Sequence, residues 1–188
     1  SIPCLLADNQ RLRLQLLEDI NNADINDRKQ SRLFYGTQSA GNLFKRNESS
    51  FKALELGLKE AISKYYDLYK NEDCEFIKSF PKQIEFSSSW FVKMQSGGHL
   101  TSHIHEDGWI SGAIYLAIPK KTKTQDEGAI ELSTHGDDYP VISDDFPKKV
   151  IKPKEGDVIF FPSSVFHRTI PFESDEERIC IAFDLKPS

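Results

Sequence analysis

Cysteine is scarce in this chain of 188 residues, which contains only Cys4, Cys74 and Cys180. Three scattered cysteines are too few for a disulfide framework, and none of them belongs to a Cys-x-x-Cys pair of the kind that binds zinc. The sequence therefore excludes a disulfide-rich secreted domain and a zinc-ribbon protein. We expect a reduced, intracellular protein of cytoplasmic location, in which Cys180 is a small buried hydrophobic residue.

Long hydrophobic runs and an excess of positive charge are also missing. No stretch approaches the ~20 apolar residues of a transmembrane helix, and the first residues do not resemble a signal peptide. The 24 lysines and arginines are outnumbered by 29 aspartates and glutamates, which gives a net charge of −5. Because non-specific nucleic-acid binding requires a basic face, we expect neither a nucleic-acid partner nor a membrane partner.

The composition, with 38% hydrophobic and 28% charged residues, is typical of a globular protein. We predict a single domain over residues 1–188, with a helical flank and a first strand in 1–80 and a β-rich core in 81–188. The clearest helix covers 51–70, where an apolar stripe faces a surface of lysines and glutamates. From residue 84 onward the apolar period changes to two. Seven or eight short strands separated by turn signals favour a β-sandwich or barrel with helices in front.

The N-terminal segments have weaker patterns. We predict a short edge strand in the apolar run 2–6 and a helix that begins near Asn9 with Asp8 as its cap. Residues 21–30 are interpreted as a loop. Residues 35–42, YGTQSAGN, are interpreted as a turn-rich segment that could lie over a functional site.

Three of the five histidines lie in the stretch GGHLTSHIHEDGWISGAIYLAIP, residues 97–119. In a strand, residues i and i+2 share a face, so His103 and His105 would point the same way, with Asp107 next on that face. Two imidazoles that converge from one strand make half of a first-row transition-metal site. A third ligand must come from another part of the fold.

His167 is the best candidate for that third ligand. It follows the apolar run 158–161, just outside this predicted strand, and Arg178 opens a further strand-like run eleven residues later. A non-haem iron oxygenase requires such a set: three protein ligands on one face, open positions for co-substrate and oxygen, and a cation for the far carboxylate of the co-substrate. The competing interpretation is that these histidines are surface or hydrogen-bonded core residues, although a core face has little use for two adjacent imidazoles.

Four other residues are weaker candidates for the site. His99 lies further out than His103 and is a less favoured ligand. His135, in the loop THGDDYP, is interpreted mainly as a loop hydrogen-bonding residue, with a substrate contact as the alternative. Arg168 either lines the entrance or forms a surface salt bridge, and Trp109 either walls the site or simply packs.

The segments SGGHLTSHIHEDGWISGAIYLAIP, DEGAIELSTHGDDYP and GDVIFFPSSVFHRTIPFESDEERICIAFDLKP together resemble the Fe(II)/2-oxoglutarate-dependent oxygenases. The resemblance is to the prolyl-hydroxylase-like branch, whose members often follow tetratricopeptide repeats, and it covers most of residues 90–187. It implies a double-stranded β-helix core of the jelly-roll or cupin-like type, with N-terminal helices packed on the sheet. It also implies a dioxygenase that uses Fe(II), 2-oxoglutarate and O2, hydroxylates its substrate and releases succinate and CO2.

The same resemblance implies roles for individual residues. The proximal pair and the distal ligand of the metal would be His103, His105 and His167. Arg178 matches the basic residue that pairs with the C5 carboxylate of 2-oxoglutarate. Tyr115 falls where related hydroxylases carry a tyrosine that hydrogen-bonds this carboxylate, and Thr169 is a further candidate for that pocket.

One departure leaves the ligand set open. The broader superfamily uses His-x-Asp or His-x-Glu, whereas this chain offers His103-x-His105 or, alternatively, His105-x-Asp107, which restores the triad of two histidines and one acid. We favour three histidines, a set that carries one more positive charge than the usual triad. The alternatives are a cupin-like three-histidine metal protein, a dioxygenase that does not use 2-oxoglutarate, a zinc hydrolase and a non-catalytic binding domain. We expect a small-molecule or protein side-chain substrate, which the sequence does not identify.

Overall fold

The computed structural model describes residues 10–22, 24–120, 122–143 and 145–188, and nine β-strands make up its core within these ranges. The strands are β1 (Asp27–Arg28), β2 (Leu33–Ser39), β3 (Ile84–Leu100), β4 (Ile110–Ala117), β5 (Ile130–Ser133), β6 (Lys148–Ile151), β7 (Val158–Pro162), β8 (Phe166–Thr169) and β9 (Arg178–Pro187). They form two antiparallel sheets, one of six strands in the order β1-β2-β3-β9-β4-β7 and one of three in the order β6-β5-β8.

Helices cover one face of the larger sheet. They are α1 (Gln10–Asn22), α2 (Ser49–Tyr69) and the short α3 (Glu75–Lys78), with a 3-10 turn at Leu43–Lys45. Helix α2 confirms the helix predicted over 51–70, and the Ser50 hydroxyl donates a hydrogen bond to the Asp19 carboxylate of α1. No helix among the described residues combines the length and the hydropathy needed to cross a membrane.

Strand β9 shows how alternation divides the interior into two parts. Its residues Ile179, Ile181, Phe183 and Leu185 are all buried in the cluster that the helices contribute to. Fully burying one such side chain stabilises the fold by about 1.5–3 kcal/mol. Because successive strand residues point to opposite faces, the residues between them face the space between the two sheets. These inward-facing residues are Arg178, Cys180, Ala182 and Asp184.

A second apolar cluster fills the space between the sheets. It contains Val92, Met94, Ala113, Tyr115, Ile130, Ile159, Phe161, Phe172 and Cys180. The two sheets are also linked by an isolated antiparallel bridge between His103 and His167. This arrangement confirms the prediction of a mainly β, jelly-roll core with N-terminal helices packed on one sheet.

Several local predictions differ from the structure. Most of the segment 35–42 is not turn-rich but belongs to β2, since Gly36, Thr37 and Gln38 pair with the long strand β3 and that pairing overrides the local composition. The loop predicted at 21–30 contains the short strand β1. His167 lies outside β7, as predicted, and belongs to the next strand, β8. The edge strand predicted at 2–6 and the cap predicted at Asp8 lie outside the described residues.

Candidate functional site

The side chains of His103, His105 and His167 converge on one cavity between the sheets. One ring nitrogen from each lies within 4.8 Å of the others, and the Nε2 atoms of His103 and His105 are 3.3 Å apart. Among the described residues, this is the one group of histidine, cysteine or acidic side chains with a geometry suited to a metal ion. The structure therefore brings together the three histidines that the sequence predicted as a set.

The backbone that produces this convergence differs from the predicted strand. Strand β3 ends at Leu100, and both His103 and His105 lie in the loop that follows it. The backbone N–H groups of His103 and His167 each donate to the other residue's carbonyl oxygen, at 3.1 and 2.9 Å. The N–H of His105 donates to the carbonyl oxygen of Ser163 at 3.0 Å. The loop is thus held against the β7–β8 connection, and this tertiary contact aligns the imidazoles.

Hydrogen bonds at Nδ1 define the tautomer of each ring. Nδ1 of His103 is 2.7 Å from the carbonyl oxygen of Thr101, and Nδ1 of His167 is 3.3 Å from that of Val165. Nδ1 of His105 is 2.6 Å from the carboxylate of Asp184. Because these oxygens accept, each Nδ1 carries the proton, which leaves the Nε2 lone pairs to converge in the cavity.

Burial keeps two of these histidines neutral. It lowers the pKa of His103 to about 4, with a further contribution from the neighbouring His105. Burial lowers the pKa of His167 well below its ordinary value as well, and the other two histidines act in the same direction. A neutral imidazole is the form that binds a metal ion, so the site is prepared for metal at neutral pH.

Asp184 is an additional polar residue of this site that the sequence did not indicate. Its carboxylate accepts hydrogen bonds from His105, from the Ser111 hydroxyl at 2.7 Å and from the Ser88 hydroxyl at 2.9 Å. Burial disfavours its ionised form, but the hydrogen bonds and charge interactions, led by those with His105, prevail and lower the pKa of Asp184. The carboxylate is therefore ionised at neutral pH.

Arg178 occupies the same cavity as the histidines and is only 2% exposed. Its Nε donates to the carbonyl oxygen of Gly128 at 3.0 Å, and its guanidinium lies 5.0 Å from the centre of the Tyr115 ring. Its other close contacts are weak sulfur acceptors, Met94 Sδ at 4.0 Å and Cys180 Sγ at 3.8 Å. No carboxylate in the described part of the chain forms an ion pair with it. An unpaired buried guanidinium suits an anionic ligand.

The two other residues predicted for this pocket also line the cavity. Tyr115 is 1% exposed, and burial raises the pKa of its hydroxyl, so that the group stays protonated and able to donate. Thr169 is buried at the end of β8, two residues after His167 and therefore on the same face of that strand.

Two of the weaker candidates lie elsewhere. The ring of His99 stacks on Phe34 at 4.9 Å, and its Nδ1 donates to the carbonyl oxygen of Gly97. His135 stacks on Phe146 at 4.4 Å, and its Nε2 is 3.2 Å from the carbonyl oxygen of Pro140. His135 therefore has the loop hydrogen-bonding contact that the sequence suggested.

Of the remaining candidates, Trp109 packs against an aromatic ring, Arg168 forms an ion pair and Asp107 is exposed. Trp109 stacks on Phe76 at 5.5 Å beside the helical cluster, which agrees with the packing interpretation. Arg168 borders the cavity and forms a two-pronged ion pair with Glu131 at 2.8 and 3.0 Å. Asp107 is exposed and does not join the three histidines.

Two more side chains at the cavity were missed by sequence reasoning. Gln38 is 7% exposed, and its amide has no hydrogen-bond partner among the described residues. Trp90 lies with its ring centre 5.6 Å from that of His105. The period-two alternation of β9 could have indicated Asp184, since it shares a strand face with Arg178, whereas no local pattern distinguishes Gln38.

The residues fit a first-row divalent metal ion. Three imidazoles suit iron, nickel, copper and zinc, and each ring has its outer nitrogen engaged, as is usual for metal-binding histidines. Two unprotonated Nε2 atoms 3.3 Å apart repel each other, and a cation between them removes that repulsion. The fold and the site thus define a jelly-roll protein in which three histidines are in position to bind a metal ion, beside a buried arginine that has no acidic partner among the described residues.

The sequence matches one family model, described as "Putative 2OG-Fe(II) oxygenase", over residues 88–184, just over half of the chain. The chain belongs to this family of 2-oxoglutarate and Fe(II)-dependent oxygenases. The matched region includes all three histidines, Arg178 and Asp184. Among curated protein sequences, none matches this chain.

Solved structures share the fold at low sequence identity. HygX from Streptomyces hygroscopicus, solved with nickel and 2-oxoglutarate bound, gives a TM-score of 0.67 at 10% identity, over 100% of this chain and 82% of that one. A prolyl-4-hydroxylase from Pseudomonas putida gives 0.63 at 13% identity, over 99% and 90%. A prolyl hydroxylase from Trichoplax adhaerens, in complex with a hypoxia-inducible-factor peptide fragment, gives 0.63 at 16% identity, over 97% and 81%. At these identities the likeness shows the fold.

Family and fold agree with the function that the sequence predicted. The protein is an oxidoreductase, a dioxygenase that depends on Fe(II), 2-oxoglutarate and O2. The family does not define the substrate, whose class depends on the residues around the cavity.

Proposed function

We propose that His103, His105 and His167 hold the Fe(II) of this dioxygenase and that Arg178 binds the C5 carboxylate of 2-oxoglutarate, assisted by Tyr115 and Thr169. The observation that carries this assignment is the guanidinium of Arg178, which is 2% exposed and lies without an acidic partner among the described residues in the cavity that the histidines line. A three-histidine metal protein that does not use an anionic co-substrate has no reason to bury such a cation.

Fe(II) and 2-oxoglutarate, when bound, would supply the oxidising chemistry with O2: 2-oxoglutarate would lose CO2 and take up one oxygen atom to give succinate, and the substrate would receive the other oxygen atom. The residues of the chain bind and orient these groups. Arg178 offers a planar donor pair that matches a carboxylate, and the Tyr115 ring supports the guanidinium from one side. The apolar cluster around them limits access of water to the cavity.

We propose a polar substrate, such as a side chain of a peptide, that enters through an open groove beside the histidines. This groove is lined mainly by polar and charged residues from β1, β2 and β3, and Gln38 and Trp90 belong to both the groove and the cavity. The unpaired amide of Gln38 offers one acceptor and two donors, which suits a substrate that carries an amide or a hydroxyl group. The Trichoplax relative was solved with a peptide, which agrees with this substrate class.

The same proposal takes the whole chain as one oxygenase unit of an intracellular protein. Residues 10–80 supply helices and the strands β1 and β2, and Gln38 of β2 borders the metal cavity. The helical flank and the β-rich core would therefore act together.

An anaerobic titration with Fe(II), with and without 2-oxoglutarate, tests the residue assignments. We expect a weak visible metal-to-ligand charge-transfer band in the wild-type protein when both are present. The band should be lost in His167→Ala, which removes a ligand, and in Arg178→Ala, which removes the carboxylate partner. The control is Arg46→Ala, because Arg46 pairs with Glu48 away from the cavity and its replacement should leave the band unchanged.

The outcomes separate the alternatives. Iron binding without any 2-oxoglutarate band would replace this proposal by a cupin-like metal protein. A protein that binds no metal would make the three histidines structural. For the substrate, a peptide panel assayed by succinate release should identify acceptors whose turnover falls in Gln38→Leu, and equal turnover in that variant would exclude Gln38 as a substrate contact.

A further inference from the structure

Asp184 is buried in a polar network built across three neighbouring strands. It lies on β9, and both Ser88 on β3 and Ser111 on β4 are its direct partners in the strand register. Each serine hydroxyl donates to its carboxylate, and the Ser163 hydroxyl is 2.8 Å from that of Ser111. A carboxylate thus has a hydroxyl donor on either side within the sheet, and an imidazole N–H as its third donor.

A shift in strand register contributes to this arrangement. The pairing of β3 with β9 changes register between Phe86 and Ser88, and the neighbouring Ser87 hydroxyl donates to the backbone carbonyl of Asp184 at 3.2 Å. Such irregularities are used to aim a side chain at a functional site. Burying a carboxylate also costs stability, even with good hydrogen bonds, and apolar residues in place of a buried ionic group are often equally stable or more stable. A function at the neighbouring histidine explains the network.

Among the described residues, only one of the three histidines hydrogen-bonds to a carboxylate. His103 and His167 donate from Nδ1 to the neutral carbonyl oxygens of Thr101 and Val165, whereas His105 donates to the Asp184 carboxylate. Three neutral imidazoles leave a divalent metal ion with a net charge one unit higher than two histidines and one carboxylate would. Asp184 supplies the missing negative charge from just behind one ligand.

We propose that Asp184 is a positioning residue for the metal centre, which holds His105 as its Nδ1–H tautomer and replaces, through that imidazole, the negative charge that a ligating carboxylate would contribute. A carboxylate behind a histidine makes the metal-binding nitrogen a stronger donor. It also favours the more positively charged, oxidised metal. This inference rests on the proposed iron site.

The variant Asp184→Asn tests the charge while keeping the shape. Asparagine can still accept the Nδ1–H of His105 through its oxygen, and the Ser88 hydroxyl can rotate to accept from the new amide. The matched control is Glu131→Gln, which removes one carboxylate beside β8 that contacts Arg168 and none of the three histidines. Both variants change the net charge by the same amount.

Anaerobic Fe(II) binding and the position of the Fe(II)–2-oxoglutarate charge-transfer band are the readouts. In Asp184→Asn we expect the Fe(II) dissociation constant to rise by about 10- to 100-fold. The band should move to higher energy, because an iron with less negative surroundings gives up electron density less readily. A purely structural role would weaken binding without moving the band. Glu131→Gln should keep the wild-type band and an affinity within about threefold of wild type.

The possible failures are distinguishable. If the wild-type protein shows no band, the proposed function fails and the inference falls with it. If the wild type shows the band and Asp184→Asn matches it in both position and affinity, the inference alone is overturned.

A second measurement needs no variant that could misfold. In the Zn(II)-loaded wild-type protein, the Nδ1–H proton of His105 should resonate further downfield by NMR than those of His103 and His167, because its acceptor is a carboxylate. A His105 without a proton on Nδ1, or with a shift no different from the other two, would contradict the proposal.

Discussion

Replacing Arg178 by methionine should change co-substrate affinity strongly and the stability of the ligand-free protein only slightly. The guanidinium is 2% exposed and has no carboxylate partner in the described ranges, so under the proposed assignment its charge stays unpaired until 2-oxoglutarate binds. Removing one partner of a buried, hydrogen-bonded charge pair costs about 2–5 kcal/mol, which raises the 2-oxoglutarate dissociation constant roughly 30- to 5,000-fold.

The ligand-free protein should respond differently. Replacing a buried ion pair by apolar side chains of similar volume is often neutral or stabilising by about 1–4 kcal/mol, and removal of the buried charge of Arg178 should act in the same direction. The lost hydrogen bond to Gly128 and the lost contact with the Tyr115 ring offset about 1 kcal/mol each. We therefore expect Arg178→Met to lie between about 1 kcal/mol less stable and 2 kcal/mol more stable than wild type.

Urea unfolding of metal-loaded protein, with and without 2-oxoglutarate, measures both effects. At a 2-oxoglutarate concentration of about 100 times the wild-type dissociation constant, the wild type should gain about 2.7 kcal/mol, whereas the variant should gain less than about 1 kcal/mol because its dissociation constant is at least about 30-fold higher. A variant that is destabilised by more than about 3 kcal/mol without ligand, yet still stabilised by 2-oxoglutarate, would contradict this prediction. It would show that the charge of Arg178 is balanced within the protein and is not the co-substrate partner.

Three further predictions follow from single contacts. The pKa of His103 is about 4 in the folded protein and about 6.5 in the unfolded protein, so the metal-free protein should keep its stability above pH 6.5 and lose up to about 3 kcal/mol as the pH falls to 4. Urea midpoints of the wild type and of His103→Gln across that pH range measure the loss of stability. An equal loss in both proteins would contradict the prediction. Tyr115→Phe keeps the ring beside Arg178 but removes the hydroxyl, so 2-oxoglutarate titration should show an affinity about 3- to 10-fold weaker, and unchanged affinity would exclude the hydroxyl from the pocket. Gly112→Ala would place a Cβ only 2.7 Å from the Ile159 carbonyl oxygen and should lower the free energy of unfolding by about 1–3 kcal/mol, measured by thermal or urea unfolding. Unchanged stability would mean that β4 and β7 can move apart at this point without cost.

The charge states of the histidines and of Asp184 have different physical causes. The neutral state of His103 and His167 comes from burial, while the charged state of Asp184 comes from three donors that outweigh burial. Neutral imidazoles and an ionised carboxylate thus lie within one cluster of contacting side chains. Strand β9 carries Asp184 on the same face as Arg178 and so links the three-histidine cluster to the buried arginine.

Much of this protein could be predicted from its sequence because the relevant signals are local or specific in spacing. Helix α2 follows from an apolar stripe at helical period, and the inner and outer faces of β9 follow from alternation. The histidines at 103, 105 and 167 and the arginine at 178 are recognisable because a metal site with an anionic co-substrate requires those residue types together. Such requirements concern the types of side chain, and the types can be read directly from the sequence.

Other features were decided only by tertiary structure. The segment 35–42 forms most of a strand because β3 offers it a pairing edge, and the composition of the segment itself favours turns. His103 and His105 converge through backbone bonds to His167 and Ser163 rather than through a strand of their own. The sequence left Asp107 as a possible acid for the site, whereas the fold brings Asp184 to His105, 79 residues away along the chain. Such contacts depend on the register between distant strands, and no local pattern in a single sequence specifies that register.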